Sequence, residues 1–261
     1  KLRKSLAAKA YKKTMLYDTA IFNWFSDKIE KSKEEYLFLE GKKVSDLRYG
    51  ENPHQSASIF SFNSRKKDKF FKQLNGKELS FNNLNDLRAG LSLLAEFKNP
   101  TTVIIKHAIP CGVAETTDIY SSWKKAYRAD ELSAFGGVVV INGRIEKKIA
   151  LKLSSIFLEV IAAKSFSKEA LQIFSKKKNL RVIKIIGLNK FKKHKPQSII
   201  TMPDIFLVQN SDTSVITKKN IRIVSKRKPT KRELDDMIFA NKVVKHVRSN
   251  AIVIAKNKTT I

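Results

Sequence analysis

Apolar residues fall along this chain in two alternating textures. Short, continuous, β-branched runs occur at Val103-Ile104-Ile105, Val138 to Ile141, Val160 to Ala163, Leu180 to Ile186 and Ala251 to Ala255. Such runs fit strands buried on both faces of a parallel sheet. Between them lie stretches of helical spacing: Asp86 to Phe97, with Leu87, Leu91 and Leu94 on one face and Asn85 as a cap, then Ile119 to Arg128, Ile145 to Phe157 and Lys168 to Lys176. A Thr-x-x-Glu capping box, Thr230 to Glu233, opens a long helix through Val247. The alternation predicts α/β layers, a mixed or mostly parallel sheet with flanking helices. Lys190 to Thr201 reads as polar and irregular, and Ile205 to Gln209 as a short strand.

The ends have a different texture. Residues 2 to 25 read as an amphipathic helix or two, with Leu6, Ala10, Tyr17, Ile21 and Trp24 at near-helical spacing. The charged stretch Ser26 to Glu35 is then a candidate boundary. The chain reads as starting at the tail of a larger unit, and it stops mid-element at Thr260-Ile261.

Composition narrows the class. With 261 residues and 42% hydrophobic content the chain can build a real core. No apolar run approaches the ~20 residues that span a bilayer, and the lysine-rich first residues do not make a signal peptide. One cysteine, Cys111, excludes an intrachain disulfide and suits a reducing cytoplasm. The net charge of +28 points to anionic partners. Its local blocks, Arg65-Lys66-Lys67, Lys176-Lys177-Lys178 and Lys190 to Lys195, fall in loops and helix ends without interleaved aromatics. They read as solvated surface rather than a nucleic-acid face.

Most familiar chemistry is missing. The four histidines are far apart in sequence, and no Cys-x-x-Cys or His-Glu-x-x-His pairing exists, so no metal site is expected. Neither G-x-G-x-x-G nor G-x-x-x-x-G-K-[ST] occurs. Cys111 beside a turn fits an inert thiol. What remains is Lys106-His107, delivered at the carboxyl end of a strand before Pro110 and Gly112 break into a loop. That rim is where open α/β sheets bind ligands. An ammonium beside an imidazole favours the neutral ring, which can then accept a proton. The same two residues could equally be the solvated end of a strand. The turn-rich Leu47 to Gln55 is either a structural Ω-loop or an anion site built on Arg48. Ser133-Ala134-Phe135-Gly136-Gly137 permits close backbone approach to a ligand, or is an ordinary turn.

Four stretches occur together and in order: L-R-Y-G-E-N-P-H-Q (47–55), Q-L-N-G-K-E-L-S-F-N-N-L-N-D (73–86), I-I-K-H-A-I-P-C-G-V-A (104–114) and S-A-F-G-G (133–137). With L-x-x-K-A-Y-x-x-T-x-x-Y-D at 6–18, K-K-K-N-L-R-V at 176–182 and V-V-K-H-V-R-S-N-A-I-V at 243–253, they closely resemble the transformylase half of the bifunctional AICAR transformylase/IMP cyclohydrolase family. The resemblance covers essentially the whole chain.

The resemblance implies a cytidine-deaminase-like fold, present as the first copy of a duplicated domain and without zinc. It implies residues 1–35 as the last helix of a cyclohydrolase domain and linker, 36–200 as the first transformylase subdomain, and 201–261 as a helical connection with the start of the second. It implies a reaction in which the formyl group of 10-formyltetrahydrofolate passes to the 5-amine of AICAR ribonucleotide. His107 is then the proton acceptor and Lys106 its electrostatic partner. Arg48 and Tyr49 match a nucleotide-contacting loop, Phe135 and Gly136 a backbone contact, Glu159 an acidic contact and Asn250 the asparagine of Ser-Asn-Ala. A cytoplasmic homodimer with the site across its interface is implied, and this chain alone is expected to be inactive. Departures from the family pattern are Ile109 for an asparagine, Lys164 for a proline, Met202-Pro203-Asp204 where a Gly-Gly pair is usual, and Asn241 for a tryptophan. A diverged non-catalytic relative and a basic nucleic-acid-binding protein are the competing readings.

Overall fold

The computed structural model describes residues 1–29, 36–62, 70–193 and 197–261. Outside them lie Arg65-Lys66-Lys67, His194 and parts of the Ser26–Glu35 and Lys190–Lys195 stretches. The chain separates into two compact units, Lys1–Asp46 with Ser58–Lys67, and Leu47–Ala57 with Asp68–Ile261.

In the first unit the N-terminal periodicity becomes one continuous helix, α1 (Leu2–Ile29). Its Tyr11, Met15, Tyr17, Phe22 and Trp24 are exposed, and Phe22 meets Phe38 edge to face at 5.3 Å. Strands β1 (Lys42–Leu47) and β2 (Ala57–Ser61) pair as a two-stranded ladder.

The second unit holds the core. Its elements follow in the order β3 (Phe71–Asn75), α2 (Phe81–Leu94), β4 (Thr101–Lys106), β5 (Ile109–Glu115), α3 (Ile119–Ala129), α4 (Glu131–Ala134), β6 (Val138–Ile145), α5 (Lys147–Ser154), β7 (Val160–Phe166), α6 (Lys168–Ser175) and β8 (Arg181–Ile185). Then come α7 (Leu188–Lys193), β9 (Ser198–Met202), β10 (Ile205–Gln209) and α8 (Lys231–Val244). Six strands form one sheet in the order β3-β8-β7-β6-β4-β5. Alternate residues of each strand feed opposite layers. Val103, Ile105, Val138, Val140, Val160 and Ile183 pack with Leu87, Leu91 and Leu94 of α2 and Phe239 and Val243 of α8. Ile104, Val139, Ile141, Ile161 and Val182 pack with Trp123, Ile149, Leu153 and Phe174 on the other side. Two covered faces explain why the strands read as unbroken apolar runs.

Strand direction decides between the two expected sheets. Only β6-β7 and β7-β8 are parallel, through the crossover helices α5 and α6. The pairs β3-β8, β4-β6 and β4-β5 are antiparallel, so of the two expected sheets the mixed one forms. The cause is local. Pro110 and Gly112 do not open a loop but lie within β5, and the chain reverses over His107-Ala108 alone. Gly112 is required there, because a Cβ would sit 2.1 Å from the Ala126 carbonyl oxygen of α3.

Other boundaries shift for identifiable reasons. Ser80, not Asn85, caps α2, because its hydroxyl accepts the Asn83 N–H while the Asn83 side chain accepts the Ser80 N–H. Ile145 ends β6 rather than opening a helix, since a register irregularity between Ile141 and Arg144 carries the strand further. The Thr230–Glu233 capping box opens α8, which ends at Val244 rather than Val247. In the Lys190–Thr201 stretch the described residues are not irregular, because 190–193 end α7 and Ser198 opens β9, which pairs antiparallel with β10. Ala251–Ala255 forms no strand. The chain doubles back at Asn257-Lys258, whose N–H groups both donate to Asp236, leaving only single bridges at Ala114-Thr259 and Ala255-Thr260. Among the described residues no helix is long and apolar enough to cross a membrane.

Candidate active site

Strand β4 is fully buried until Lys106, which is half-buried. The register places Ile105 opposite Val138, Val138 beside Val160, and Val160 beside Arg181. Because β4 runs against its neighbour, the Lys106 rim lies at the amino ends of the three parallel strands. The expected carboxyl-end rim holds for β4 and β3, which run against the parallel strands, and not for β6, β7 or β8. On this rim the residues just before β6, β7 and β8 converge.

Lys106 Nζ donates to the Phe135 carbonyl oxygen at 2.5 Å. The next residue, Gly136, has φ +69°, and a Cβ on it would lie 3.0 Å from Lys106 Nζ and 3.4 Å from the Phe157 ring. A side chain there is disfavoured by the backbone conformation, and it would also crowd the end of Lys106. Gly136 N–H donates to the Phe157 carbonyl at 2.8 Å, and the Phe135 and Phe157 rings sit 5.1 Å apart. Glu159 N–H donates to the Gly137 carbonyl at 3.0 Å. Lys106, Phe135, Gly136 and Glu159 thus form one cluster. The Glu159 carboxylate is already engaged, accepting from the guanidinium of Arg181, which is 8% exposed and also donates to the Glu78 carbonyl. Its polar role is at least partly structural.

His107 is exposed at the tip of the turn, with φ +51°, and Ala108 follows with φ +60°. Two consecutive left-handed residues that are not glycine are costly. What holds them is Asp86, whose Oδ1 accepts the Ala108 N–H at 2.7 Å. Burial outweighs the Ala108 N–H and the nearby His107 and Lys106 charges, and it holds the Asp86 carboxyl above its ordinary value.

The Arg48-Tyr49 loop reaches the same helix. The Arg48 guanidinium lies over the Tyr49 ring at 4.7 Å, and the loop closes on itself by Gly50 N–H to the Gln55 carbonyl at 2.7 Å. Asn82 Nδ2 donates to the Glu51 carbonyl at 3.0 Å. Asn82 and Asp86 are four residues apart and share one face of α2. That face therefore carries both the 48–55 loop and the Lys-His turn. Asn250, by contrast, is exposed after α8, and no described contact ties it to the rim. Ile109 stands opposite Lys106 across the hairpin and is 45% exposed. Cys111 faces the Ile104 carbonyl at 3.6 Å, and burial pushes its thiol up to about 11, which leaves it protonated at neutral pH. Among the described residues no group of three or more His, Cys, Asp or Glu could hold a metal ion.

Sequence reasoning missed Asp86, Arg181 and Phe157. Asp86 was visible as the last residue of the 73–86 motif, but it reads there as the first residue of a helix. Arg181 and Phe157 carry no local signal, because their partners are distant in sequence.

A family model described as AICARFT/IMPCHase bienzyme matches residues 1–261. The bifunctional purine biosynthesis protein PurH of Bacillus cytotoxicus is 43% identical over 261 residues, covering 99% of this chain and 51% of its own length. Proteins of the same name from Bacillus cereus and Bacillus anthracis show the same 43% identity and the same coverage. The chain spans about half the length of the curated relatives it matches. A match over every residue, at this identity, shows that the chain belongs to the AICARFT/IMPCHase bienzyme family.

Proposed function

We propose that this chain carries formyl-transfer machinery of purine biosynthesis, moving a formyl group from 10-formyltetrahydrofolate to the 5-amine of AICAR ribonucleotide. The observation that carries the reading is the Lys-His turn, set on a buried strand and bonded through Lys106 to Phe135 beside Gly136. The amine is a weak nucleophile. As its nitrogen attacks the formyl carbon, His107 takes the amine proton. The formyl C–N bond to the folate then breaks, and the folate nitrogen leaves carrying the proton that His107 took from the amine. Lys106 stabilises negative charge developing on the formyl oxygen. Arg48, stacked on Tyr49, binds the ribonucleotide phosphate, with Gly136, Glu159 and Asn250 as further substrate contacts.

The wider reading belongs to the same proposal. The mixed sheet with flanking helices is the first copy of a duplicated cytidine-deaminase-like domain, residues 36–200, and 201–261 connects to the second. Residues 1–35 close a cyclohydrolase domain. The active protein is a cytoplasmic homodimer with its site across the interface, and it uses no metal.

Formyl transfer by the full-length protein is the test. His107→Ala should lower kcat by about 10²–10⁴, and Arg48→Ala should raise the KM for AICAR. An unchanged rate in His107→Ala overturns His107 as the base, and absence of turnover by the wild-type protein favours a non-catalytic relative, the reading that Ile109 beside the turn supports. Steeply salt-dependent affinity for arbitrary RNA, without AICAR binding, would favour a role for the +28 charge instead.

A further inference from the structure

We propose that Asp86 is the positioning residue of the Lys106-His107 pair: from α2 it clamps the left-handed turn and sets a negative charge against both cations of the site. The proposal rests on the formyl-transfer reading and extends it to a residue outside the pair.

The turn needs a clamp. Two-residue hairpins favour Asn-Gly because both central residues take positive φ. Here the positions are His107 and Ala108, at +51° and +60°. Each left-handed residue is disfavoured relative to glycine. A histidine at this position is therefore held in place rather than settled there by local preference. The Asp86 carboxylate supplies the holding contact at 2.7 Å to the Ala108 N–H, across 22 residues of sequence. It sits on the second turn of a helix whose own cap and core face are fixed by Ser80, Leu87 and Leu91, so the clamp does not move with the loop.

The clamp is also charged, and the fold does not require that. A neutral amide could accept the same N–H. Instead a carboxylate is kept in a half-buried position where ionisation is disfavoured. The groups facing it are Lys106 at the end of β4 and His107 on the turn. When His107 accepts the amine proton it becomes an imidazolium. A carboxylate anchored nearby favours that state, as the orienting carboxylate of a triad does. Asp86 needs no contact with substrate for this role.

The experiment uses formyl transfer by the full-length protein, with kcat, KM for AICAR and the pH profile of kcat measured for four variants. Asp86→Asn keeps the acceptor and removes the charge. It should lower kcat about tenfold with KM unchanged, and move the acid limb of the profile to lower pH, because the imidazolium loses its stabilising neighbour. Asp86→Ala should lose more, and Asp86→Ala with Ala108→Gly should return towards the Asp86→Asn level, since glycine needs no clamp. Where Asp86→Ala fails to fold, Asp86→Asn decides alone. His107→Ala separates the two ideas. A slow His107→Ala beside an Asp86→Asn with wild-type kcat and an unmoved acid limb overturns the role of Asp86 and leaves formyl transfer standing. A His107→Ala of unchanged rate overturns the roles of both His107 and Asp86, and absence of formyl transfer by the wild-type protein overturns the formyl-transfer reading itself.

Discussion

The β4-β5 and β9-β10 hairpins each reverse over two residues, His107-Ala108 in one and Pro203-Asp204 in the other. The second turn is built from residues that want to be there. Proline presets its own φ, and Asp204, at +64°, belongs to the small group of residues that visit the left-handed region readily. The first turn is built from residues that do not. Burial divides the hairpins in the same way. Residues 101–105 of β4 are buried throughout, whereas every residue of β9 and β10 is exposed. One hairpin, exposed along both strands, holds its turn by local preference. The other is over-determined by packing and spends part of that stability on an unfavourable turn that displays a histidine. Strain in a residue held by its surroundings is where function is to be sought.

The largest test of this contrast is core truncation. Ile104→Ala removes a fully buried side chain from the core and should cost about 2–5 kcal/mol in denaturant unfolding. Leu207→Ala, on the exposed hairpin, should stay within about 0.5 kcal/mol. Equal losses at the two positions would show that β9-β10 is covered in solution and would erase the contrast.

A smaller effect separates the turns themselves. Ala108→Gly removes a left-handed cost of about 1–2 kcal/mol and adds about 0.5–1 kcal/mol of unfolded-state entropy, so it should raise the midpoint modestly, by about 2–4 °C per kcal/mol gained. Asp204→Gly gives up less strain, and the two contributions should nearly cancel. A gain at 204 matching that at 108 would mean that the His-Ala turn is no more strained than the Pro-Asp turn.

The same contrast explains what could be read from the residues alone. Strand positions were legible because both faces of β4, β6, β7 and β8 are covered, and two-sided burial writes itself as continuous apolar sequence. The Asn75-Gly76 turn was legible too, since Gly76 has φ +95° and a Cβ there would lie 2.2 Å from the Leu180 carbonyl oxygen. Strand direction was not, because the reversal after Lys106 uses none of the residues that announce a turn. Lys106, Phe135 and Gly136 could be named from their motifs, and Lys106 bonds to Phe135 beside Gly136. Asp86 could not be given its place, because a helix-borne clamp acts across 22 residues and leaves no periodic signal. Nor could the pairing of Glu159 with Arg181, which joins the starts of two adjacent parallel strands.

The finest test is a trend with pH. Burial holds the Asp86 carboxyl above its ordinary value in the folded chain. A group raised on folding contributes stability that is fully present below its unfolded value, near 4 for an aspartate, and is lost as pH rises through the folded value. Asp86→Asn carries no such dependence. The variant should therefore gain on the wild type as pH rises from about 4 towards neutrality, read as the difference between their thermal midpoints. Activity should move the other way, since the charge that costs stability is the one that favours the protonated His107. A midpoint difference that stays flat over this range would mean that the carboxylate ionises without penalty. The His-Ala turn would then be held by an ordinary hydrogen bond, and its difference from the Pro-Asp turn would be one of geometry alone.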